Sequence, residues 1–567
     1  MRPIPQNRHL LAVMILTAAA ALAGYLALYD TNLGSSQVNI AATAVKRHDS
    51  SAFAHDPVFG KSKLWLFNTP AYQSMLELVL VPTDYQDLML PFRVATGVQT
   101  LLLLCGMYAL LFWQTRSWSV SVFTAVLSVR MIETFSGAFW GAGTLSCVTP
   151  AGLCLALWPL VILAFARYTR PEPDGRRLSK WRVILIFFVV GLLGNFHLVT
   201  AMNMTLVLLI AYVIRNRFTP RCLPVALAAG VAATVAALPY IWYYFGLRAR
   251  MTASLAAPSA ETVFEALRIG DLAVFYPELL KGMLDWRVLA GVLVLGLPAI
   301  AVLAKIERYI TQNVWLWVGL VIGSVVVAMG LHGLSQQVGD WLRTAPPVID
   351  FVQASNLLML PLYALLAQAI TNLFRLLRGH RAALRWVLVA LLGAWMIPSA
   401  NLRVARWELA DLGASLLSEA DKPAYVLRHN EKRNRHRELR AIGDWAAGRP
   451  GSMYITDRDE FRVLSRRSIV AGDNDPRYLY YLAPSRLEQW LDRYRRQDEI
   501  LHPSAGTTDP DAVTGFVDHL IGAEPDLEAV SEWYLLLHSS SAPIEPGALQ
   551  PVESGQWGRF YRLYRIR

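Results

Sequence analysis

Charge is scarce in this sequence. Only 17% of its 567 residues are Asp, Glu, Lys or Arg, against about a quarter in soluble domains. That deficit excludes an ordinary water-soluble globule as the account of the whole chain. Cysteine is also scarce. The four present, Cys105, Cys147, Cys154 and Cys222, form no CxxC pair, so neither a disulfide framework nor a thiolate metal site is expected. There is no GxGxxG and no P-loop, which removes the glycine-rich phosphate cradles from consideration. No internal repeat or low-complexity tract is present either.

What the chain has instead is hydrophobic sequence. Apolar residues make up 54% of it and the mean hydropathy is +0.35. They are concentrated in runs before about Asn401, each near the ~20 residues that cross a ~30 Å hydrocarbon core as a helix. The expected fold class is an α-helical polytopic membrane protein of about eleven spans followed by a small α/β soluble domain. The runs fall at 10–29, 88–114, 118–133, 149–167, 182–196, 199–214, 223–246, 286–304, 313–332, 351–374 and 384–401. Arg2 and Arg8 ahead of the first run would also suit a signal peptide, but its length reads as an uncleaved first span.

The basic residues choose the orientation. With the N-terminus inside, the inner loops carry Arg116, then Arg167 to Arg182, then Arg215, Arg217 and Arg221, then Lys305 and Arg308, and finally Arg375 to Arg385. Every inner loop is basic. The net charge of +11 is thereby explained without nucleic acid, which is not an expected partner. An odd span count puts the C-terminal segment outside; Arg in great excess over Lys suggests a GC-rich bacterial genome, and the expected location is the bacterial inner membrane. The expected division is a membrane domain over 1–402, with outer loops at 30–87, 247–285 and 334–350, and a periplasmic domain over 403–567. Leu64–Val81 is too interrupted by polar residues to span and is expected as an interfacial helix.

Chemistry for such a protein lies at the interface, where a lipid carrier presents a polar head. Sugar transfer from a polyprenyl phosphate needs a carboxylate to take the acceptor's proton and positive charge to stabilise the departing phosphate. The first outer loop supplies the densest polar cluster: Arg47, His48, Asp49, His55 and Asp56. Asp56 is the first choice for the base, because Phe53, Val58 and Phe59 around it would desolvate the carboxyl; Asp49 is second. Both also suit a solvated loop, and Asp56-Pro57 is an ordinary turn signal. Glu133, three residues after Arg130 at the end of the third run, is a further carboxylate, with self-neutralisation by Arg130 as the plain alternative. His197, Arg343, Asp350 and Gln353 sit at outer turns as candidate substrate contacts. The stretch Asp457–Arg467 reads as a solvated charged loop.

This layout resembles the GT-C superfamily of membrane glycosyltransferases. A first span leads to a long outer loop with an acidic residue, short spans follow, and a soluble domain closes the chain. The resemblance implies a base or metal ligand at Asp56 or Asp49 and a second acidic position at Glu133. Segments 47–60 (RHDSSAFAHDPVFG), 194–199 (GNFHLV), 346–363 (PPVIDFVQASNLLMLPLY) and 438–470 also look like a group of bacterial proteins of this architecture, with Trp445, Arg467 and Ser468 at matching positions. The first loop lacks the adjacent acidic pair of many GT-C enzymes, and no WWDYG-type motif is present. The cofactor therefore stays open, a divalent metal or cationic side chains alone. The expected function is transfer of a sugar from a polyprenyl-phosphate donor to an envelope glycan, lipid or protein at the periplasmic face, with membrane lipid and envelope-assembly proteins as further partners. The alternative is a non-catalytic component of envelope polysaccharide assembly.

Overall fold

A computed structural model describes residues 6–27, 33, 35–60, 62–85, 87–135, 138–141, 148–169, 180–251, 258–270, 307–342, 351–376, 382–397, 399–418, 422–504, 507–541, 544 and 549–567. It is the helical membrane protein with a small sheet that the sequence implies. Seven described helices are long and apolar enough to cross a bilayer: Asn7–Leu26, Leu90–Thr115, Pro150–Tyr168, Leu198–Arg215, Pro220–Met251, Trp315–Gly339 and Phe351–Phe374. Trp118–Leu127 and Ala383–Met396 are shorter apolar helices, and Lys180–Leu193 matches the expected run at 182–196. The expected span at 286–304 lies outside the described residues.

The chain divides into two compact units. The first comprises Met1–Ala27, Phe92–Trp242 and Val274–Arg406, and the second Leu28–Pro91, Tyr243–Ala273 and Trp407–Arg567. Of the expected outer loops, 30–87 and most of 247–285 thus group with the C-terminal segment, while 274–285 and 334–350 group with the first unit.

The first unit is a helical bundle around Trp158, Phe165, Leu208, Leu320 and Tyr363. One close approach brings the Glu307–Val325 helix onto Leu198–Arg215. A Cβ at Gly319 would stand 2.9 Å from the Ala211 Cα, and one at Gly323 2.9 Å from the Val207 carbonyl oxygen. A GxxxG face lets two backbones meet where lipid tails supply no hydrophobic drive. The third expected span is corrected. Its helix stops at Leu127 after 10 residues, and the chain turns into an antiparallel hairpin, β1 (Met131–Phe135) and β2 (Ala138–Gly141). Glu133 therefore sits on a strand paired with Phe139, and the helical i, i+3 alignment with Arg130 does not exist.

The second unit is built on a five-stranded sheet of order β4-β3-β5-β7-β6, with β3 at Ser452–Ile455, β4 at Ser468–Ile469, β5 at Glu532–His538, β6 at Gln550–Pro551 and β7 at Tyr561–Arg565. β3, β4 and β5 run parallel, and β7 is antiparallel to β5 and β6. Side chains alternate across a strand, and both faces are covered. Met453, Trp533 and Leu535 pack with Val513, Phe516 and Leu520 of the Pro510–Ala523 helix. Tyr454, Tyr534 and Leu536 pack with Leu439 and Ile442 of the Ala424–Ala447 helix and with Phe461. Burial on both faces is why β3 and β5 read as continuous apolar runs. In the same unit Pro70–Leu80 is a helix of 11 residues, too short at about 1.5 Å per residue to span, and Ser35–His48 is a helix where a loop was expected.

Candidate functional site

The first-loop cluster is ordered from Lys46 onward. Its ammonium donates to the carbonyls of Ser50 (2.7 Å) and Ala52 (2.6 Å), folding the chain back after the Ser35–His48 helix. Burial pulls this amine below its ordinary pKa, opposed by Asp56 and Asp49. Asp49 stays at the surface. The hydroxyl and amide of Ser51 donate to it at 2.6 and 2.8 Å, and the hydroxyl contact leads in holding its carboxyl below the ordinary range. Arg47 pairs with Glu77 at 3.0 Å, His48 stacks on Tyr85 at 4.0 Å, and the His55 amide donates to the Ser468 hydroxyl at 3.1 Å.

Asp56 is sealed. Its side chain is 0% exposed. Oδ1 accepts from the amides of Val58 and Phe59, each at 3.0 Å, and Oδ2 accepts from Arg462 Nε at 2.7 Å and from the Ile469 amide at 3.4 Å. All of its acceptor capacity serves the fold. This departs from the expectation of a partly solvated base, because an arginine from the C-terminal segment has taken the carboxylate. Arg462 itself is 0% exposed, on a short helix (Asp459–Ser465), and also pairs with Asp475. The charged stretch expected as a solvated loop is thus partly core. Desolvation pushes Asp475 up to about 6 even with Arg462 beside it, and the negative charges of Asp56 and Asp459 add to the rise. Asp459 is raised by burial too. It accepts from the amides of Asp473 and Asn474, each at 3.1 Å, and from Asn474 Nδ2 at 2.7 Å.

A second polar group lies in the helical unit. His197 caps the Leu198–Arg215 helix, with Nδ1 accepting the Thr200 amide at 3.2 Å and lying 2.8 Å from the Thr200 hydroxyl. That contact places the proton of the neutral ring on Nε2. Thr200 Oγ1 is in turn 3.4 Å from Gln353 Oε1, on the turn Phe351–Ala354 that opens the next long helix. Two predicted substrate contacts, His197 and Gln353, therefore converge through a threonine that the sequence did not single out. β2 packs against this turn and the helix after it, so Glu133, one strand away, belongs to the same unit. Arg130, just beyond the Trp118–Leu127 helix, is 8% exposed and lies 3.6 Å over the Trp395 ring. Its Nε and Nη1 have no hydrogen-bond partner among the described residues. Only its place among hydrophobic residues, costly for a cation, could have flagged it as more than a neutraliser of Glu133.

Arg343 and Asp350 lie outside the described residues. Among those described, no three His, Cys, Asp or Glu side chains are placed to hold a metal ion.

No protein-family model matches the chain, and no curated protein matches it. Among solved structures, the crystal structure of ArnT from Cupriavidus metallidurans bound to undecaprenyl phosphate is similar over 98% of both chains, at 12% identity and a TM-score of 0.43. That likeness assigns no role to any residue here.

Proposed function

We propose that this protein is a membrane glycosyltransferase that takes a sugar from a polyprenyl-phosphate donor and passes it to an envelope acceptor at the periplasmic face. The observation that carries the reading is the polar group His197–Thr200–Gln353, set in the helical unit beside a hairpin that bears Glu133. The helix before that hairpin rises only about 15 Å, half the hydrocarbon thickness. Non-helical backbone at such depth persists where it is buried in protein or lines a watered cavity. Glu133 is the carboxylate we assign as general base, His197 and Gln353 hold donor or acceptor hydroxyls, and Arg130 stabilises the departing phosphate. Arg343 and Asp350 stay candidate substrate contacts on the sequence alone. Asp49 and the sealed Asp56 belong to the other unit, and there Asp56 shapes the loop that Asp49, Arg47, His48 and His55 decorate.

The sidedness has support beyond the basic inner loops. Residues 28–91, 243–273 and 407–567 fold as one unit. They are joined by buried Asp56–Arg462, by Tyr243 donating to the Leu66 carbonyl at 2.7 Å, and by the Arg495–Glu265 pair. Segments that fold together lie on one side of the membrane, and the positive-inside rule makes that side the periplasm. The test is to incubate purified protein with radiolabelled polyprenyl-phosphate sugars and measure release of polyprenyl phosphate. Release above a boiled control supports transfer; none with any donor, from protein with an intact melting transition, favours the non-catalytic assembly role.

A further inference from the structure

The edge of the five-stranded sheet at β6 carries a cavity of about 500 Å³ lined by Pro551, Glu553, Ser554, Trp557, Arg562 and Tyr564 among others. Its wall is the loop between β6 and β7, and that loop is held in one shape. Glu438, 7% exposed, accepts the amides of Gly558 (3.0 Å), Phe560 (2.9 Å) and Tyr561 (2.6 Å) on a single oxygen. Gly558 sits at φ +121°, a conformation open to glycine and closed to other residues. Trp557 donates its indole N–H to the Val552 carbonyl at 3.1 Å and meets Trp445 edge-to-face at 5.9 Å. A loop fixed by a buried carboxylate is preorganised, which lowers the ordering cost of binding.

The lining is mixed in a particular way. Trp557 and Tyr564 are half-buried rings, Ser554 and Glu553 offer polar groups, and Arg562 on β7 is exposed. Its neighbours on the strand end are neutralised, Arg565 by Glu532 at 3.0 Å and Arg567 by Asp518 at 3.6 Å. The Arg562 side chain makes no ion pair or hydrogen bond among the described residues. The site does not suit an added peptide strand, because edge strand β6 has 2 residues and Pro551 lacks the N–H that pairing needs.

We propose that this cavity binds an acidic saccharide. A ring of Trp557 or Tyr564 covers the apolar face of one sugar, Ser554 and Glu553 bond its hydroxyls, and Arg562 takes a carboxylate or phosphate on it. Binding stands apart from the transferase reading; only its use, docking the acceptor glycan, rests on that reading.

The test uses the full chain in lipid nanodiscs, titrated calorimetrically with tetragalacturonate, pentamannose 6-phosphate and uncharged maltotetraose. At least one acidic probe binds more tightly than maltotetraose. Arg562→Gln weakens that binding about tenfold, as loss of a hydrogen bond to a charged group requires, and Arg559→Gln, an exposed arginine next to the cavity that does not line it, leaves it unchanged. The proposal is overturned if no acidic probe binds, if maltotetraose binds as well as they do, if Arg562→Gln binds as wild type, or if Arg559→Gln weakens binding equally. Acidic saccharide binding without donor turnover would remove the transferase reading and leave this site; turnover without such binding would do the reverse.

Discussion

Replacing Asp56 by alanine removes the acceptor shared by Arg462 Nε and three backbone amides in a volume closed to water. Arg462 keeps Asp475, but the amides of Val58 and Phe59 keep no partner from this side chain. Removing one member of a buried ion pair costs roughly 3–5 kcal/mol, and each stranded donor adds to that, though not additively. For a unit of this size, each kcal/mol moves the melting temperature by about 2–4 °C, so the expected fall is roughly 6–20 °C. Asp56→Asn preserves shape but turns an amide toward the guanidinium, and it should lose a large part of the same stability. The double variant Asp56→Leu, Arg462→Met replaces the pair with apolar groups and should recover most of the loss, since such exchanges are often neutral. Differential scanning calorimetry in detergent, with limited trypsin digestion of residues 47–60, reads the effect. An Asp56→Asn protein with the wild-type melting temperature and digestion pattern but no turnover would refute the structural role and restore Asp56 as the base.

Two further outcomes follow from the packing and the charges. Because burial lifts Asp475 to about 6 from an ordinary 3.8, the folded unit holds a proton that the unfolded chain has released. Stability from this group therefore falls as pH rises between about 4 and 6 and is level above that window; the melting temperature of wild type relative to Asp475→Asn should decline across it, and a constant difference would contradict the assignment. Gly323→Leu forces the Val207 backbone 2.9 Å away to yield, an overpacking cost of about 1–3 kcal/mol or more, visible as loss of the monodisperse peak in size-exclusion chromatography; an unchanged profile would contradict the close approach.

Much of the architecture was legible because its causes are local. The long helices follow from uncharged runs, and β3 and β5 from short apolar runs bounded by turn residues. The third expected span failed where a short apolar stretch does not distinguish helix from strand: Val129 to Phe135 continues the hydrophobic run in composition but carries Ile132, Thr134 and Phe135, which favour strands. The Ser35–His48 helix was hidden by its Ser, Asn and Thr content. It is held by tertiary burial of Gln37, Asn39 and Thr43, which no local pattern announces. The candidate site divides the same way. His197 and Gln353, expected at outer turns as substrate contacts, are linked through Thr200. The fate of Asp56 was invisible, because Arg462 lies 406 residues away in a stretch whose composition reads as solvated.

The central claim, that Glu133 is the base of a transfer reaction carried out in the helical unit, is tested most directly by the turnover of Glu133→Gln. The glutamine keeps size and hydrogen bonding but cannot take a proton. With purified protein and the labelled donor that wild type consumes best, the predicted result is a fall in kcat of about 10²–10⁴-fold. Donor binding and melting temperature should be unchanged, while Asp49→Asn turns over close to wild type. Wild-type turnover by Glu133→Gln would contradict the assignment, and the more so if Asp49→Asn were then inactive.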